Sequence, residues 1–366
     1  MPTFGARRGF RVAGWNVAIA LLVAAACLAA VSEQRKKKEE PKSQVLPLPP
    51  ELPMALAAET ETLDFHISPL LRTGGLAVQI RQSLNDLIRD THGETIVKLR
   101  AFVAGAGDAR RVQAEVTQIF TERKLPLPVL SILQVGALGD RSAQVVIEAV
   151  VSTHRTVNPN GLAFLAGQTG NSLDDALGRL RASAQAAGVE RERVLTCTCF
   201  GARLEDSNGD RAKAQASFPK SQINVVEALR DPASDASTCE AIAQLNETPR
   251  EGPVVWLKNS RITLAAAHRL VFTGLQLTFG AYLDDAHEAF ARLERAAATV
   301  GPVETPVQVN AFSLDTAAGS ALRKSTSIPA SVFTVQTVEG LPSIDASAGI
   351  EAVLAPDVPS PVTVPE

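Results

Sequence analysis

The stretch VKLRAFV, Val97–Val103, has a two-residue period. Val97, Leu99, Ala101 and Val103 alternate with Lys98, Arg100 and Phe102. That is the pattern of a β-strand with two unlike faces. The same shape returns as VLTCTCF at Val194–Phe200 and as VQVNAFSL at Val307–Leu314. All three hold phenylalanine at one matching position: Phe102, Phe200 and Phe312.

A helix precedes each strand. Before the second, Ser172 is placed to cap a helix, with Asp175 three residues on as a box-like partner. Leu173, Ala176, Leu177, Leu180, Ala184 and Ala187 then form one apolar stripe, and Gly188 stands where a left-handed C-cap belongs. Before the third, Leu283, Ala286, Phe290, Leu293 and Ala297 repeat the stripe, and Gly301 closes it. The paired aspartates of Leu173-Asp174-Asp175-Ala176 and Leu283-Asp284-Asp285-Ala286 suit the positive end of a helix and are read as capping.

A second helix follows each strand. Then come a proline (Pro128, Pro219, Pro329), an apolar strand, and a last strand with one glutamate (Glu148, Glu240, Glu351). Three passes in the same order predict three tandem modules, at 60–152, 153–250 and 251–355.

The remaining segments are of other kinds. Val12–Val31 is an apolar run of a length that spans a bilayer as a helix, with Trp15 near its start. Arg7, Arg8 and Arg11 precede it, and Arg35, Lys36, Lys37 and Lys38 follow. Residues 1–32 are therefore expected to be a retained single-pass membrane anchor or, as the alternative, a cleaved export signal with small residues at Ala24–Ala26. The charges on both flanks leave its orientation open. Residues 33–59 read as a linker, with Pro47, Pro49, Pro50 and Pro53. Residues 356–366 read as a disordered tail.

A formal net charge of −3 and an aromatic content of 4% argue against a nucleic-acid surface, since neither a cationic face nor a stacking platform is supplied. Of four cysteines, Cys27 lies in the apolar run, and Cys197, Cys199 and Cys239 are too few for a disulfide framework. No His or fourth Cys completes a metal shell around Cys197 and Cys199, so no metal is expected. His66, His92, His154, His268 and His287 are scattered, and His287-Glu288 lacks the second His of a zincin motif. There is no phosphate-binding loop and no nucleophile elbow. No cofactor is expected.

The order of elements resembles the reactive intermediate deaminase (RidA, or YjgF) family. Gln79-Ile80-Arg81-Gln82-Ser83-Leu84-Asn85-Asp86-Leu87 is similar to the family's first helix. Phe164-Leu165-Ala166-Gly167-Gln168-Thr169-Gly170 is similar to its hairpin turn. Glu240-Ala241-Ile242-Ala243, Pro329-Ala330-Ser331 and Ile350-Glu351-Ala352-Val353 are similar to its last strands. The resemblance implies an α/β (α+β), chorismate-mutase-like fold. Family members are homotrimers with ligand clefts between subunits, so three fused modules imply an intramolecular pseudo-trimer.

Family deaminases hydrolyse enamines and imines such as 2-aminoacrylate. Their substrate carboxylate is held by an arginine two residues after the proline. Here those positions are Leu130, Ser221 and Ser331. The family's first glutamate of the last strand falls on Val146, Thr238 and Gly349, and the second glutamate survives. The expectation is a membrane-tethered, non-catalytic RidA-like protein. It would bind a small ligand at inter-repeat clefts, or act as an interaction scaffold for a partner the sequence does not identify. Gln168, Ser221, Gln276 and Ser331 are the expected lining residues, with Glu240 and Glu351 on the last strands. The alternative is an imine or enamine deaminase whose cation has moved to Arg323 or Arg203. Ribonuclease activity, which some relatives are credited with, fits poorly with the net charge.

Overall fold

The computed structural model describes residues 50–364, apart from 106–107, 205–206, 357 and 359–360. The apolar run Val12–Val31 and Cys27 lie outside the described residues. No described helix is long and apolar enough to cross a membrane.

Three stretches of chain run through the same succession. The first holds β1 (Ala55–Glu59), β2 (Leu63–Ile67), α1 (Leu76–Asp90), β3 (Thr95–Ala104), α2 (Arg110–Glu122), β4 (Val129–Val135), β5 (Ala137–Leu138) and β6 (Val145–Ser152). The second holds β7 (Leu162–Gly170), α3 (Leu173–Ala186), β8 (Val194–Gly201), α4 (Ser207–Ser217), β9 (Gln222–Glu227) and β10 (Ser237–Gln244). The third opens with an added hairpin, β11 (Val254–Leu257) and β12 (Ile262–Ala265). It continues with β13 (Arg269–Thr273), β14 (Gln276–Thr278), α5 (Leu283–Ala298), β15 (Val303–Ser313), α6 (Thr316–Lys324), β16 (Phe333–Thr337), β17 (Ala348–Pro356) and β18 (Val362–Val364).

The fold is mixed α+β. One strand order recurs in its three sheets: β2-β6-β3-β4, β7-β10-β8-β9 and β13-β17-β15-β16. In each, the last pair is parallel, joined by a helix, and the other pairs are antiparallel. Other strands extend the second and third sheets. β12, β11 and β18 continue the second sheet beyond β7, and β5 pairs with β9 at its far edge. β1 pairs with β13.

Each sheet covers one face with its own two helices. Ile80, Leu84, Val112, Val116 and Phe120 pack on the first sheet, Ala176, Leu177, Leu180, Ala214 and Phe218 on the second, and Ala286, Ala289, Leu293, Ala318 and Leu322 on the third. The opposite faces turn towards one another, because two further clusters draw residues from all three sheets. One holds Phe65, Phe164 and Phe272; the other holds Phe102, Phe200 and Phe312. Edge contacts run cyclically: β4 packs against β13, β16 against β7 and β9 against β2. Strands covered on both faces explain why Lys98 and Arg100 are inside although they alternate with an apolar row.

The helix ends behave as their sequences predict. Ser172 Oγ accepts the Asp175 N–H at 3.2 Å, and Asp175 Oδ2 accepts the Asn171 N–H at 3.0 Å. Gly188 takes φ 69° just past α3. Leu283 departs from the expected stripe: it is 47% exposed, because the stripe begins to meet the sheet only at Ala286. Two segments read as linker and tail also differ. Ala55–Glu59 is β1, held by the edge of β13, and Val362–Val364 is β18, parallel to β11. Both obtain their backbone partners from strands distant in sequence, which local composition does not register.

Candidate functional site

The three long strands present equivalent positions to the three last strands. Arg100 lies opposite Glu148 in the first sheet, Thr198 opposite Glu240 in the second, and Asn310 opposite Glu351 in the third. All three glutamates turn to the centre and meet a single guanidinium. Arg100 Nη1 donates to Glu240 Oε1 at 2.7 Å and lies 3.4 Å from Glu148 Oε2. Arg100 Nε donates to Glu351 Oε1 at 2.8 Å, and Nη2 contacts the same oxygen.

The remaining partners close the network between sheets. Lys98 Nζ stands 2.8 Å from Glu351 Oε2 and donates to the Thr273 carbonyl at 3.1 Å. Glu148 Oε1 accepts from Thr198 Oγ1 at 2.6 Å and Asn224 Nδ2 at 2.7 Å. Glu240 Oε2 accepts from Asn310 Nδ2 at 2.9 Å and from Gln308 Nε2 at 3.3 Å. Thr198 thus reaches the first sheet's glutamate, and Asn310 the second's.

Burial and charge set the protonation of this cluster. Burial opposes ionisation of Glu351, but Arg100 and Lys98 outweigh it and hold its carboxyl down at about 2. Glu240 moves the other way: burial pushes it up, and the Arg100 charge only partly offsets that. Burial also works against the charged form of Lys98, with the Glu351 carboxylate offsetting part of that cost. The burial cost of Arg100 is overcome by Glu351, Glu240 and Glu148, and its guanidinium stays charged. A cavity of about 60 Å³ adjoins the network, bounded by Lys98, Arg100, Glu148, Glu240, Phe65 and Phe272. It has room for a few waters and not for a metabolite of ordinary size.

Beside Arg100 the three phenylalanine rings pack in a row of tilted contacts. The ring centroids of Phe102 and Phe200 are 5.9 Å apart, and those of Phe200 and Phe312 are 6.1 Å apart. Arg100 lies 5.9 Å from the Phe312 centroid.

The six expected site residues do not share one place. Glu240 and Glu351 are in the central network. Gln276 lies with Leu130 in a groove of about 850 Å³ between β4 and β14, with Met54, Leu277 and Ile344 along its walls. Gln168 donates to the Ala166 and Ser260 carbonyls. Ser221 is buried and donates to the Val194 carbonyl at 2.7 Å, and Ser331 is buried. The other two sheet junctions are tighter. Only about 10 Å³ is open where Val146 and Asn224 meet between β2 and β9. At the third, Gly167 N–H donates to Thr334 Oγ1 at 2.9 Å, and a Cβ on Gly167 would stand 2.6 Å from Thr334 Cγ2.

Arg203 and Arg323 stand beside neither Glu240 nor Glu351. Arg203 is exposed, 4.0 Å from Asp235, and Arg323 covers the Phe333 ring. The guanidinium beside both glutamates is Arg100. It shows in sequence as the residue two before Phe102, in a column completed by Thr198 and Asn310.

Cys199 and Cys239, directly opposed on β8 and β10, form a disulfide. The cysteines are too few for a disulfide framework, and this one bridge, which the sequence did not point to, arises because strand pairing brings together residues forty apart. Cys197 is free and buried, with Sγ 3.9 Å from Cys199 Sγ. Among the described residues no His, Cys, Asp and Glu group is arranged to hold a metal ion.

No protein-family model matches the chain, and no curated protein matches it. Similar solved structures include RidA-type proteins. The YjgF gene product of E. coli has 23% identity over 28% of this chain and 94% of its own, with a TM-score of 0.24. Cyanuric acid hydrolase, described as an innovation by structural concatenation, has 13% identity over 81% of this chain and 100% of its own, with a TM-score of 0.23. T. maritima PurL complexed with FGAR has 8% identity over 81% of this chain and 74% of its own, with a TM-score of 0.30.

Proposed function

We propose that this chain is a non-catalytic, RidA-like protein of three fused modules, closed on itself as a pseudo-trimer and tethered to a membrane by Val12–Val31. The observation that carries the reading is the fate of the three glutamates. Glu148, Glu240 and Glu351 are engaged by Arg100, Lys98 and neutral donors, and the cavity beside Glu148 and Glu240 is only about 60 Å³. Carboxylates held in that way bind sheet to sheet and are poorly placed to activate water. The positions of the family's carboxylate-binding arginine carry Leu130, Ser221 and Ser331, two of them sealed in the core. The cyclic edge contacts and the recurring strand order support the closed arrangement.

The groove between β4 and β14 is the ligand site in this reading. It joins Leu130, Ile132, Leu275 and Leu277 to the Gln276 amide and to the charged groups of Glu51, Arg110 and Asp345, a mixed lining suited to a small polar ligand. The Cys199–Cys239 disulfide favours a body on the oxidising side of the membrane, or exported altogether.

The test is hydrolysis of 2-aminoacrylate and other small imines by the full-length protein. Turnover at the buffer rate, unchanged in Glu240→Gln, is expected. Enzymatic turnover lost in Glu240→Gln or Glu351→Gln would replace this reading with that of a deaminase whose cation is Arg100.

A further inference from the structure

Arg261 closes the turn between β11 and β12 with φ 57°, a left-handed conformation that a side chain other than glycine adopts only under constraint. Its carbonyl accepts the Ala166 N–H at 3.0 Å, and its Nη2 donates to the Phe333 carbonyl at 3.2 Å. Its Nε is buried and meets no acceptor. Arg323, in the last turn of α6, places its guanidinium carbon 5.9 Å from the centre of the Phe333 ring. Two guanidinium groups therefore gather on Phe333 where β7, β12 and β16 meet.

The contrast with Arg100 is informative. Arg100 is surrounded by three carboxylates. No carboxylate stands against Arg261; burial and then the positive charge of Arg323 both weaken its hold on its proton. Among the described residues neither Arg261 nor Arg323 makes an ion pair, so positive charge collects at this junction without an internal counter-charge. Guanidinium groups offer planar pairs of donors that match the oxygens of a carboxylate or phosphate. A partly desolvated guanidinium such as that of Arg261 also attracts an anion more strongly than one in open water.

We propose that Arg261 and Arg323 form a binding site for a small oxyanion, a carboxylate or phosphate group, approached from the exposed side of Arg323. The unpaired Nε of Arg261 is one donor to it, and the free donors of Arg323 supply the rest. This site is independent of the groove between β4 and β14 and stands or falls without it.

The experiment uses thermal unfolding of the full-length protein in chloride, in inorganic phosphate and in propionate at equal ionic strength. Wild type is compared with Arg323→Gln and with Arg261→Gly, a change that the local φ accommodates. Phosphate or propionate is expected to raise the wild-type Tm with concentration. In either variant the same anion should bind about tenfold more weakly or worse. In chloride Arg323→Gln should unfold no earlier than wild type, because it removes a repulsion. The more effective anion identifies the class of ligand. Equal Tm rises in wild type and Arg323→Gln, or no wild-type response to either anion, would overturn the proposal. Arg323 is exposed, so its variant decides the matter even if Arg261→Gly fails to fold.

Discussion

Arg100→Met would leave three carboxylates, two of them buried, with Lys98 as their only cation among the described residues. Removing one partner from a buried charge cluster costs about 3–5 kcal/mol, and a loss of that size is expected in urea unfolding. Adding Glu240→Gln to Arg100→Met should restore part of it, since one excess carboxylate is then gone. The acid limb has a definite sign. Glu351 titrates near 2 in the fold against 4.5 as its ordinary value, so its contribution is complete above 4.5 and fades as pH falls towards 2. The full span is roughly 3 kcal/mol. Glu351→Gln should flatten that limb in stability measured from pH 5 to pH 2. Glu240 acts oppositely: its raised value means stability falls as pH climbs through the window above 4.5. Unfolding measured from pH 5 to 8 should be less pH-dependent in Glu240→Gln. The three glutamates were legible in the sequence because they recur in register. Arg100 was not, since only one of the three strands carries it, and a cation in a single alternating strand reads as a solvated face.

Among the elements, β8 holds the middle of the phenylalanine row. Phe200 packs against both Phe102 and Phe312, whereas Phe102 and Phe312 each meet one of these rings. Phe200→Ala is therefore expected to destabilise by about 3–5 kcal/mol, and by more than Phe102→Ala, in the same urea assay. The long strands and α3 were readable because periodicity, caps and a closing glycine agree locally. β1, β18 and the β11–β12 hairpin were missed because they are short and are fixed by partners elsewhere in the chain. β12 gains its place by pairing with β7, and Arg261 in the turn before it enters a junction that no local pattern points to.

At the scale of the molecule, the proposed closure of the three sheets within one chain predicts a monomer in light scattering that unfolds in one transition. A stable trimer, or separate transitions for the three stretches, would contradict closure within one chain. Thiol labelling after denaturation, without reductant, should modify Cys197 and spare Cys199 and Cys239. The groove between β4 and β14 was only half legible. Leu130 and Gln276 were each singled out, but their meeting depends on how the first and third sheets dock. The same docking gives the three junctions different openings.

Both cations at the centre come from one stretch of the chain. Suppose each stretch had to form a ring from three copies of itself. The first would set three arginines and three lysines against three glutamates at the axis. The second and third would set three glutamates against threonines or asparagines, with no cation at all. Neither arrangement is close to neutral. Arg100 meets the glutamates of all three stretches, so the counter-charge at the centre belongs to the whole chain and to no single stretch.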